Sequence, residues 1–135
     1  LLFYTKIPRS SSSIAGKYYE SLKSKEKSID SLVELTHQGI EALKRKDYML
    51  LGSLMEEGWK IKKSHHPDVS SEYIDSLHDK MNDAGGFVKL TGAGQGGSLL
   101  IIANKNNHNK IREICKDLTE IPVKIDMDGS KIIYE

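Results

Sequence analysis

The apolar residues of this chain change period at Gly85-Gly86. From Ile14 to Met81 they recur three or four positions apart, the spacing of one helix face. Beyond Gly86 they alternate or run on, the spacing of strands. A chain patterned in this way is neither all-helical nor all-β. Its late strands are joined by short turns, so an α+β sandwich with a mostly antiparallel sheet is expected.

Leu1–Thr5 reads as a short buried strand. Pro8 and the serines 10–13 follow, and the serines can cap a first helix carrying Ile14, Tyr18 and Leu22. Lys23–Lys27 holds no apolar residue and predicts a break. Ile29, Leu32, Val33, Ile40 and Leu43 mark a second helix. Asp47 caps a third, with Leu51, Leu54, Met55 and Trp59 inward and Pro67 as its stop. Ser70 or Ser71 starts a fourth through Ile74, Leu77 and Met81, closed by Gly85-Gly86. Phe87–Thr91 and Ser98–Asn104 read as strands, and Ile111, Ile114, Cys115 and Leu118 as a fifth helix. Ile121, Val123, Ile125 and Met127 alternate, which predicts a strand with one buried face. Asp128-Gly129 is a hairpin signal leading to a last strand over Lys131–Glu135.

Composition removes several classes of function. With 135 residues the chain suits one domain. Lys and Arg total 20 against 19 Asp and Glu, which argues against bulk capture of nucleic acid. The apolar run Leu99–Ala103 is far below the ~20 residues of a membrane span. A single cysteine, Cys115, excludes an internal disulfide framework and fits a reducing compartment, so a cytoplasmic protein is expected. Cys115 is in the apolar phase of its helix and is read as core, as is Trp59. His65-His66 with Asp68 lacks a ligand spacing, and no metal site is expected. The chain opens on Leu1, inside an apolar run, and reads as part of something longer.

The segment that can carry chemistry is Lys89-Leu-Thr-Gly-Ala-Gly-Gln-Gly-Gly97, with four glycines in six positions. Glycine opens backbone conformations closed to other residues and lets main-chain amides approach a ligand. Gly92, Gly94 and Gly97 match G-x-G-x-x-G, but that dinucleotide pattern requires a following helix, and a strand follows here. No Lys-Ser or Lys-Thr follows, so the loop is not a P-loop. A plain connection between strands remains open at this level.

In order and spacing, Leu51-Gly-Ser-Leu-Met55, Trp59-Lys-Ile-Lys-Lys63, Ile74-Asp75, Ala84-Gly-Gly86, Lys89–Gly97 and Gly129-Ser-Lys-Ile-Ile-Tyr134 resemble the C-terminal domain of the GHMP kinases. Phe3-Tyr-Thr5 with Arg9-Ser-Ser-Ser12 resembles the sugar-kinase branch typified by D-glycero-D-manno-heptose 7-phosphate kinase. The sequence departs at Gln95, where the family more often has glycine, and at Lys6, where the branch usually has glycine. The resemblance implies a ferredoxin-like antiparallel sheet covered by helices, with residues 1–135 as the C-terminal domain. It also implies an N-terminal nucleotide-binding domain absent from this chain, which would supply the phosphate loop, the magnesium ligands and the catalytic aspartate. The whole enzyme would use ATP and Mg2+ to phosphorylate a sugar or sugar phosphate. No catalytic residue falls in this chain. Thr91, Gly92, Ala93, Gly94, Gln95, Gly96 and Gly97 would lie beside the nucleotide phosphate loop, with Gly94 at the closest approach. Arg9, Lys62 and Lys63 are candidates for the anionic group of the substrate, against a bland reading as helix-end and surface charges. Self-association through the surface left by the absent domain is expected. The rival reading is a non-catalytic ligand-binding or regulatory module of the same fold.

Overall fold

The computed structural model describes residues 1–8, 26–65, 67–92, 94–125 and 129–134. The expected helix through Ile14, Tyr18 and Leu22 lies outside them, as do Arg9 and Ala93. The elements are β1 (Leu2–Tyr4), α1 (Glu26–Lys44), α2 (Tyr48–His65), a 3-10 turn (Pro67–Val69), α3 (Glu72–Asp83), β2 (Gly86–Thr91), β3 (Ser98–Ala103), a second 3-10 turn (Lys105–Asn107), α4 (His108–Ile114) and β4 (Thr119–Glu120). The four strands form one antiparallel sheet in the order β2-β3-β1-β4. One helical crossover joins β1 to β2 and another joins β3 to β4, so the α+β sandwich is ferredoxin-like.

The helix boundaries follow from local chemistry. Asp47 Oδ1 accepts from the Leu50 amide at 3.0 Å and caps α2. Ser71 does the same for Ile74 at the start of α3. That helix ends at Ala84, and Gly85 turns the chain into β2 at φ +81. At the end of α1 the Asp47 amide reaches back to the Ala42 carbonyl, which puts Lys46 in the left-handed region at φ 57.

The core lies on one face of the sheet. Phe3, Val88, Leu90, Leu99 and Ile101 meet Ile74, Leu77 and Met81 of α3, Ile111 of α4 and Cys115. Trp59 of α2 joins this cluster and is 3% exposed. Burial raises the Cys115 thiol to about 11, so it stays protonated and inert, as its apolar position suggests. The α2 helix packs on β2, and at Gly52 there is no room for a side chain: a Cβ there would run into the Phe87 ring. Leu100 and Ile102, on the other sheet face, are only half-buried.

The expected strand over residues 121–127 does not form among its described residues, nor does one over 131–134. Val123 is 55% and Ile125 81% exposed, so the alternation does not mark a buried face here. The register gives the reason. Phe3 faces Glu120, and the Ile121 amide reaches the Leu2 carbonyl at 2.8 Å. The next pair would set Leu1 against Pro122, which has no N–H to give the ladder. Asp128 lies outside the described residues. Gly129, at φ +69, keeps the positive φ that a hairpin turn requires.

Candidate functional site

The glycine loop joins β2 to β3 at one end of the sheet. It is wedged along most of its length. Thr5 donates to the Gly97 carbonyl through its amide and its hydroxyl, both at 2.8 Å. The Gly97 amide donates to Ile7 at 3.2 Å, and the Gln95 amide to the Val69 carbonyl at 3.2 Å. Thr91 Oγ1 closes the base of the hairpin on the Ser98 carbonyl at 2.9 Å. The loop thus leans on the chain after β1 and on the first 3-10 turn.

Gly94, expected at the closest approach to a ligand, is buried against this brace. Its added Cβ would lie 3.0 Å from the Val69 carbonyl oxygen and 3.1 Å from that of Asp68. A Cβ on Gly96 would meet the Ile7 carbonyl at 2.6 Å, and one on Gly97 the Thr91 carbonyl at 2.6 Å. Gly92 differs. It is exposed, has φ +113, and has nothing within 4 Å of its Cβ position. Among the described loop residues 91–97, Gly92 is the exposed one. The two family departures share a cause. Gln95 has φ 55 and Lys6 has φ 62, a region that favours glycine. Each side chain has found a compensating bond: Gln95 Nε2 reaches Asp68 Oδ1 at 3.4 Å, and Lys6 Nζ reaches the Asp117 carbonyl at 2.8 Å.

The candidate lysines separate. Lys63 Nζ is 2.7 Å from Asp75 Oδ1, which also accepts from Ser70 Oγ at 2.7 Å. Burial alone would raise the Asp75 carboxyl, but the bonds from Lys63 and Ser70 outweigh it and hold the group low. Lys63 is therefore occupied in bracing the turn on which the glycine loop rests. Lys62 faces the other way, into a groove it shares with Lys89 of β2. Burial, then the Lys89 charge, lowers the Lys62 ammonium below its ordinary value. Both charges sit on an apolar surface with no carboxylate among the groove residues. Arg9 and Ala93 lie outside the described residues.

One cluster was not legible in the sequence. Glu56 of α2 is 8% exposed and points to the free edge of β2, where the Val88 amide approaches Oε2 at 3.4 Å. Asn82 Nδ2 donates to Glu56 Oε1 at 3.2 Å. His78 Nε2 stands 2.9 Å from the same oxygen, at ion-pair distance but poorly aimed for a hydrogen bond. This carboxylate ties α2, α3 and β2 together and blunts an edge strand. Its position in α2 reads as an ordinary polar helix residue, so only the tertiary fold reveals it. Among the described residues, no three His, Cys, Asp or Glu side chains gather where an ion could bind. No described helix is long and apolar enough to cross a membrane.

A ferredoxin-like sheet with a wedged glycine hairpin at one end defines a class, and the comparisons place the chain in it. Residues 40–120 match the family model described as GHMP kinases C terminal, and the chain belongs to that family. It is 33% identical over 99 residues to the bifunctional fucokinase/GDP-fucose pyrophosphorylase of Arabidopsis thaliana. That match covers 73% of this chain and 9% of the relative, so the chain spans a small part of that protein. Among solved structures, a Lin0012 protein from Listeria innocua superposes with a TM-score of 0.78 at 20% identity, over 90% of this chain and 37% of that one. The L. major mevalonate kinase in complex with R-mevalonate gives 0.76 at 22% identity, over 86% of this chain and 37% of that one. At these identities the two structures establish the fold alone.

Proposed function

We propose that this chain is the C-terminal part of an ATP-dependent sugar kinase that acts on a sugar phosphate, with heptose 7-phosphate and its anomeric hydroxyl as the first substrate to test. The observation that carries the reading is the 33% identity to the fucokinase relative across a family match that contains the glycine loop. In this reading Gly92 and Thr91 stand beside the phosphate loop of an N-terminal domain. The braced residues Gly94–Gly97 hold that end rigid. Lys62 is the candidate cation for the anionic group of the acceptor, since Lys63 is engaged by Asp75.

Phosphoryl transfer requires metal and positive charge around the γ-phosphate, with the acceptor in line. A neutral loop supplies positioning and not charge. The described residues assemble no carboxylate cluster for Mg2+. In this reading the metal ligands, the nucleotide loop and the base come from an N-terminal domain. What this chain would add is a stiff wall that fixes the distance between the two reacting groups. We place the protein in the cytoplasm, on the single buried thiol. We also expect the isolated chain to self-associate through exposed apolar residues such as Val33, Leu43 and Ile125.

The test is ATP turnover against a panel of sugars and sugar phosphates, using the longer protein and this chain side by side. Turnover by the longer protein and none by this chain supports the reading. Activity that follows this chain alone through purification contradicts it.

A further inference from the structure

Helices α1 and α2 lie against one another, and the sheet face away from the core runs beneath them. Between them is a groove of about 400 Å³. Its walls are apolar: Leu32 and Leu35 from α1, Leu51 and Met55 from α2, and Leu100 and Ile102 from β3. Lys62 and Lys89 are its charged residues. Lys62 lies in the last turn of α2, which leads to the turn that braces the glycine loop. Lys89 lies two residues short of the loop-side end of β2. The charge in the groove is therefore of one sign and gathered toward the loop end, while the remaining wall is apolar.

Among the described residues neither lysine is in an ion pair, and neither has a hydrogen-bonding partner. Their mutual repulsion and the half-burial of Lys62 both penalise holding two ammonium groups there. An anion between them removes that penalty, and an apolar body along Leu51, Met55 and Ile102 covers the rest of the wall. The volume suits a small ligand rather than a protein segment with its own fold.

We propose that this groove binds an amphipathic acid, with its anionic head between Lys62 and Lys89 and its apolar body along the cleft between α1, α2 and β3. Charge complementarity selects the head, and the apolar wall selects the body. A sugar phosphate supplies the first and lacks the second. The groove shares Lys62 with the acceptor contact assigned above and differs from it in the apolar body it selects, so the two ligands would compete for that ammonium.

Titration of this chain with decanoate, decanol and glucose 6-phosphate, at a concentration where light scattering shows a monomer and followed by amide NMR shifts and calorimetry, tests it. Decanoate should saturate one site, shift residues of α1, α2 and β3, and bind at least about tenfold more tightly than decanol, the scale of a charged hydrogen bond or two. Replacing both lysines by Met keeps the aliphatic stems. Lys62→Met with Lys89→Met should abolish the decanoate advantage and leave decanol unchanged. Equal affinity for decanoate and decanol, or an unchanged double variant, overturns the proposal. Saturable binding of glucose 6-phosphate with none of decanoate also overturns it, and leaves the kinase reading of Lys62 standing. If decanoate binds as expected while the longer protein phosphorylates no sugar, the groove stands and the kinase reading falls.

Discussion

Gly92 and Gly94 stand two residues apart in one loop, and a substitution would meet different surroundings at each. At Gly94 the space for a side chain is filled by the backbone of Asp68 and Val69, with an oxygen 3.0 Å away. At Gly92 it is open for 4 Å, and only the positive φ resists a side chain. A glycine motif therefore mixes two requirements. Some positions are glycine because the fold presses on them. Others are glycine because the main chain must turn and remain reachable. The first kind makes the loop stiff, and the second is where a ligand or a neighbouring domain can approach.

The difference can be broken from either side. Gly94→Val should be the costliest change. It drives a branched side chain into a backbone that cannot swing aside, and about 2–4 kcal/mol of stability should be lost. Thermal unfolding of this chain measures it, and an unchanged midpoint would mean that the brace is not a brace. Gly92→Ala should cost about 1–2 kcal/mol through backbone strain alone, with the fold otherwise intact by circular dichroism.

Asp75→Asn probes the brace from behind. Asp75 holds Ser70 and Lys63 next to Val69. Its folded carboxyl is held below the ordinary aspartate value by the bonds from Lys63 and Ser70. Its contribution is thus present above that value and is lost as the pH falls through the lower folded value. The stability of the parent chain should drop across that acid window, and the Asn variant should be flatter there. At neutral pH the loss should stay below about 1 kcal/mol, because the pair is partly exposed to solvent. The smallest effect runs the other way. Gln95→Gly relieves φ 55 and gives up one long bond to Asp68. A gain of about 0.5 kcal/mol is expected, with a loss above 1 kcal/mol showing that the side chain matters more than the strain.

Much of the fold was legible in the residues. Asp47 and Ser71 cap their helices, Gly85 ends α3, and the strand after the glycine loop excludes a dinucleotide turn. These are local signals, and short-range chemistry decides them. The misreadings are of another kind. Ile121, Val123 and Ile125 alternate like any half-buried strand, but pairing depends on what lies beside them, and the register meets Pro122, which cannot donate. Lys62 and Lys63 are neighbours with the same chemistry. A helix turns about 100° per residue, so one meets Asp75 and the other the groove. Glu56 looks like surface charge until β2 is placed against it. In the loop the spacing treats the glycines alike, and only packing separates Gly92 from Gly94.

We propose that the braced loop sets Gly92 beside the phosphate loop of the N-terminal domain while Gly94 serves the fold. The measurement is kcat per folded molecule for Gly92→Ala in the longer protein, with the thermal midpoint taken on the same sample. A shift of ~1 Å in a positioning wall can lower a rate ~100-fold, so kcat should fall by about that factor while most of the protein stays folded. A near-normal kcat in Gly92→Ala, or a loss that tracks unfolding alone, would contradict the account and leave the loop a connector between strands.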